Sequence, residues 1–157
     1  MLESFIEKTG ALMRIAAACS LCCMVLLTGA DVIGRALQSP LFGTEELVAF
    51  FAAITLGFSL PYAHRAKSHI AVEIFISSLG RRTRAAIQLV VNGVNFALFS
   101  VLAWRLFDYA ASMRASGVLS MNLELPEYMV VALVGLGVAT FAAMLVCDVL
   151  QFSKGGD

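Results

Sequence analysis

Residues 128–147 read YMVVALVGLGVATFAAMLVC, twenty consecutive positions without a charged side chain. A helix rises about 1.5 Å per residue and the hydrocarbon core of a bilayer is about 30 Å thick, so roughly twenty apolar residues cross it. Nothing in the stretch is more polar than Thr140 and Tyr128. A helix on the surface of a soluble bundle keeps a polar stripe with a 3.6-residue period. None can be drawn here, so the stretch reads as a transmembrane helix.

Working outward, the same reading recurs three times. Residues 85–104, AAIQLVVNGVNFALFSVLAW, are also free of charge. Gln88, Asn92 and Asn95 are their strongly polar members, and spacings of four and three put these on one helical side. Residues 15–30 and 47–63 are shorter uncharged runs that reach spanning length with their flanks. Leu12 and Met13 extend the first, Val32 and Ile33 carry it past Asp31, and Arg14 can snorkel to the headgroups. The second can begin at Glu45 or Glu46, with Pro61 near its far end. The approach MLESFIEKTGALMR is mixed in charge and lacks the basic leader of a signal peptide.

The whole chain agrees. Its 157 residues are 60% hydrophobic and 14% charged, with a mean hydropathy of +0.87. Soluble domains average about 45–50% apolar and about 25% charged residues. Eleven basic and eleven acidic side chains cancel, which argues against a nucleic-acid partner. The expected fold is an all-α integral membrane protein, one domain over residues 1–157. Its four spans are expected at about 12–33, 45–64, 85–105 and 127–148.

Charge also suggests an orientation. The N-terminal segment, the second loop and the tail hold eight Lys/Arg, and the first and third loops hold three. The basic side is expected to be cytoplasmic, with both termini inside. Within the second loop, HRAKSHIAVEIFISSLGRRTR, an alternation at Ile70, Val72, Ile74 and Ile76 permits a strand. A strand alone beside a bilayer leaves an unpaired edge, whereas a short helix satisfies its own backbone. An amphipathic interfacial helix is therefore expected at about 68–80, touching membrane lipids, with Arg81, Arg82 and Arg84 marking the start of the third span. In the third loop, span three is expected to continue as a helix and stop at Gly117, and Pro126 opens span four. Trp104, Tyr109 and Tyr128 are candidate aromatic-belt residues there.

Chemistry is sparse. Cys19, Cys22, Cys23 and Cys147 fall inside spans and read as small buried hydrophobes rather than metal or redox ligands. His64 and His69 are five apart near one end of span two, a poor arrangement for holding a haem from both faces. No catalytic, cofactor or metal site is expected, and no enzyme activity. Asp31 and Glu46 carry more weight, because an ionisable group beside a membrane has a partner or a task. Arg35 follows Asp31 by four residues and can pair with it on one helix face. Glu46 shares a helical side with Phe50, Ala53 and Gly57, and small residues there permit close helix contact. Gly135, Gly137, Ala139 and Ala142 offer span four a similar surface. The residues alone leave open a self-contained four-helix exporter of the small multidrug type, or a membrane anchor for a redox enzyme. Asp31 lies close to a span end and Glu46 at an interface, which suits the exporter poorly.

One ordered set of segments resembles a known family. DVIGR at residues 31–35 is followed by SPLFGTEEL, TLGFSLPYAHR and SHIAVEIF. In this order, with four spans, the chain resembles the small membrane subunit of the tripartite ATP-independent periplasmic (TRAP) transporters, the DctQ-like family. Arg35, Glu45, Glu46, Gly57, Arg65, His69, Val72 and Glu73 stand at family-typical positions. Where the family commonly has a tryptophan before the acidic pair, this chain has Phe42-Gly43-Thr44.

The resemblance implies that those residues serve structure or a partner interface rather than a substrate pathway. It implies a much larger multi-span permease subunit that carries the transport site. It also implies a periplasmic substrate-binding protein that delivers an organic acid, with import driven by a sodium gradient. The expected place is the bacterial inner membrane.

Overall fold

The computed structural model describes residues 2–65 and 81–154, which form four α-helices. They are α1 (Leu2–Ala36), α2 (Thr44–Arg65), α3 (Arg81–Ser116) and α4 (Glu127–Lys154). Each contains a segment long and apolar enough to cross a membrane: Lys8–Ala36, Thr44–Ala63, Val90–Ser116 and Glu127–Cys147. The chain is an all-α membrane protein, as the sequence predicts. The expected interfacial helix at 68–80 lies outside the described residues.

Side-chain exposure shows what the solvent is. Leu26 is 72% exposed, Val25 62% and Val94 61%, all in mid-helix. In water such surfaces would aggregate, but lipid tails cover them at no cost, and each helix satisfies its own backbone. The same reasoning corrects the cysteines. Cys19, Cys22 and Cys23 are exposed on α1 and only Cys147 is partly covered, because in a membrane small apolar residues need not turn inward.

The helices pack as two antiparallel hairpins. α1 packs on α2, α3 on α4, and α2 joins the hairpins by packing on α4, with a smaller contact between α1 and α4. A small core of Met13, Ala17 and Phe58, flanked by Ala16 and Ile54, sits between α1 and α2. The Thr55 hydroxyl donates to the Ala17 carbonyl at 3.4 Å across that pair. Arg14 lies over the Tyr62 ring at 5.2 Å, which keeps its charge against an aromatic face near the end of the hairpin.

Two glycines set the approach of α2 to α4. A Cβ on Gly137 would collide with the backbone carbonyl of Gly57, and one on Gly57 would come within 3.0 Å of the Val134 Cα. Pro61, fully buried inside α2, has no N–H to offer the Gly57 carbonyl four residues earlier. That carbonyl is the atom facing Gly137, so the α2–α4 crossing lies where Pro61 removes one donor from the ladder. Gly57, singled out from the sequence as part of a packing face, lies here against Val134 and Gly137 of α4.

Both long helices that lead into the turns end with a left-handed residue. Beyond α1, Gln38 has φ 58°, its N–H donates to Arg35 O at 3.2 Å and Ser39 N–H donates to Gly34 O at 2.8 Å. Beyond α3, Gly117 has φ 66° and Val118 N–H donates to Met113 O at 3.2 Å. These are the paired bonds of a Schellman cap. Gly117 stops α3 as predicted, but the glycine that such a cap favours is replaced by glutamine after α1.

Candidate functional site

The two turns meet at one end of the bundle, and Asp31, Arg35, Glu45 and Glu46 gather there. Asp31, in the last turns of α1, is buried. It accepts from Arg35 Nε at 2.7 Å and from the Leu41 N–H at 3.2 Å. One carboxylate therefore ties the helix end to the far side of its own turn. Arg35 reaches on to Glu45 at 3.5 Å. Both ends of that second contact are largely exposed, so it contributes little. The predicted Asp31–Arg35 pair is present, and its task is to hold the α1–α2 turn.

Thr44 opens α2. It is buried, and its hydroxyl donates to the Leu41 carbonyl at 3.1 Å. Before it, Gly43 takes φ 74°. A Cβ there would run into the Leu123 side chain within 2.8 Å, so Leu123 of the second turn is seated directly on Gly43 of the first.

Glu46 makes the polar half of the same junction. Its Oε1 accepts the Asn122 N–H at 2.7 Å and its Oε2 the Leu123 N–H at 3.0 Å. A carboxylate at the start of α2 also faces the positive end of that helix. The receiving turn is itself braced. Ser120 is buried, its N–H donates to Leu125 O at 2.9 Å and its Oγ accepts the Leu125 N–H at 3.0 Å. Glu46, Leu123 and Gly43 thus clamp the α3–α4 turn to the start of α2.

Of the sequence-predicted residues, Arg35, Glu45 and Glu46 come together at this clamp, and Gly57 lies lower on the Glu46 side of α2, against α4. Arg65 is the last residue of α2, far from the clamp. His69, Val72 and Glu73 fall outside the described residues. The sequence reading missed Leu41, Gly43, Ser120, Asn122 and Leu123. Leu41, Asn122 and Leu123 act through the backbone or as a hydrophobic knob, roles without a residue-type signature. Gly43 directly before the Thr-Glu-Glu start of α2 was the one usable hint.

The arrangement defines a class before it defines a family. Among the described residues, the buried polar side chains are Ser20, Asp31, Thr44 and Ser120, and three of these four lie at the end of the bundle where the two turns meet. No three His, Cys, Asp or Glu side chains among the described residues converge as a metal site. This is a membrane bundle braced at one end, with closely packed helices in its middle. The family comparison is consistent with that class. Residues 24–155 match the model described as "Tripartite ATP-independent periplasmic transporters, DctQ component". The chain belongs to this family and is a TRAP transporter small permease component. No curated protein matches it.

Proposed function

We propose that this chain is the small permease subunit of a sodium-driven TRAP importer in the bacterial inner membrane. In this reading it scaffolds a larger multi-span subunit that carries solute and sodium. A periplasmic binding protein delivers an organic acid, and the clamped turns form part of its docking platform. The family membership supports the assembly, and one structural observation carries the scaffold role. At the Gly57–Gly137 crossing the two backbones touch, and among the described residues three of the four buried polar side chains lie at the end of the bundle where the two turns meet. A rigid bundle with a closed middle suits a fixed frame better than a moving carrier.

Reconstitution tests this. Proteoliposomes containing this chain, the large subunit and the binding protein should take up an organic acid under an inward sodium gradient. Omitting any one of the three should abolish uptake. Uptake by this chain alone, or uptake indifferent to sodium, overturns the reading.

A further inference from the structure

We infer that the face of α3 turned away from α4 is covered by a transmembrane helix of the larger permease subunit, not by lipid. This rests on the function proposed above. Three contacts fix the register of α3 against α4. Arg114 lies over the Tyr128 ring at 5.8 Å, Leu106 and Phe107 flank Gly135, and the rings of Phe99 and Phe141 meet at 4.5 Å. On this register the uncharged run of α4, 128–147, lies beside residues 94–113 of α3. The uncharged run of α3 itself is 85–104, so α3 is displaced by about nine residues, roughly 14 Å along its axis.

The other helices do not share the displacement. The uncharged runs of α1 and α2 lie side by side, from Arg14 at Tyr62 to Asp31 at Leu41. Gly57, near the middle of the α2 run, meets Val134 and Gly137 near the middle of the α4 run. Three helices thus agree on where the bilayer centre falls, and at that height α3 presents Arg105 and Asp108. Trp104 is also at that height, well below Tyr128, so the two do not form one aromatic belt.

Arg105 and Asp108 are 69% and 65% exposed and pair with each other at 3.8 Å. They lie on the side of α3 opposite Ala103, Ala110 and Met113, which are buried toward α4. Charged groups at the bilayer centre are strongly disfavoured against lipid and usually face protein or a water-filled cavity. Ala97, Val101 and Ser112 complete the exposed face. Among these, Ala97 and Ser112 are small enough to let a second helix approach, while Val94 and Leu98 on the same face are 61% and 58% exposed. The occupant is a helix that brings a hydrogen-bond acceptor to Arg105 and a donor to Asp108.

The test uses the two membrane subunits expressed together. A photo-crosslinking amino acid at Val101 should give an adduct with the large subunit in intact membranes. The paired substitution Arg105→Leu and Asp108→Leu should cut recovery of the large subunit at least tenfold, while the variant chain alone stays monodisperse in detergent. Co-purification of the wild-type subunits without a Val101 adduct, or undiminished recovery with the leucine pair, overturns the inference and leaves the proposed function standing. Failure of the wild-type subunits to co-purify overturns both.

Discussion

The Gly57 carbonyl in α2 rests against Gly137 in α4 with no room between them for a methyl group. Gly137→Ala forces backbone apart from backbone, because neither side of the contact is a flexible side chain. A cost of about 1–3 kcal/mol is expected, in the range of overpacking. Gly57→Ala meets Val134 at 3.0 Å and should cost less. Gly29→Ala and Gly93→Ala place a methyl in open space. They should be neutral or stabilising by up to ~1 kcal/mol, the helix preference for alanine over glycine. Thermal unfolding in detergent followed by circular dichroism gives the order directly.

The acidic pair at the start of α2 has two unequal members. Both oxygens of Glu46 accept backbone N–H groups. In Glu46→Gln the amide nitrogen cannot accept, so one of the two N–H groups loses its partner. The variant should unfold at a lower temperature, and amide hydrogen exchange at Asn122 and Leu123 should quicken. Glu45 is exposed and 3.5 Å from Arg35, so Glu45→Gln should leave both measurements unchanged.

Gln38 holds a left-handed backbone at φ 58° and its side chain is exposed. A non-glycine residue in that conformation costs roughly 1–2 kcal/mol. Gln38→Gly relieves it but frees the unfolded chain, so a net gain of up to ~1 kcal/mol is expected. A lowered unfolding temperature contradicts the Schellman assignment.

Asp31 joins Arg35 and the Leu41 N–H through separate oxygens. Asp31→Ala removes both at once, and the α1–α2 turn should become protease-sensitive between Leu37 and Gly43. Arg35→Ala leaves the Leu41 bond in place and should open the turn less. Limited proteolysis of the solubilised chain separates the two.

Much of this architecture is legible from where charge is missing. Four uncharged runs predict four helices, and an i, i+4 spacing predicts the Asp31–Arg35 pair. Gly57 is readable as a packing face because small residues surround it. Gly137 is readable in the same way, but that the two meet is not, since spacing within one helix carries no information about its height against another. The same blindness hides the displacement of α3, where the longest uncharged run does not coincide with the segment beside α4. The Glu46 clamp is illegible for a further reason. Its donors are the main chain of Asn122 and Leu123, and any residue but proline supplies an N–H.

The most direct measurement is the mass of the particle that a tagged copy of this chain brings out of the membrane in mild detergent. Native mass spectrometry should find one copy bound to one larger polytopic subunit. A chain that emerges alone from membranes where the larger subunit is present, or that remains in the aqueous fraction without detergent, contradicts the account.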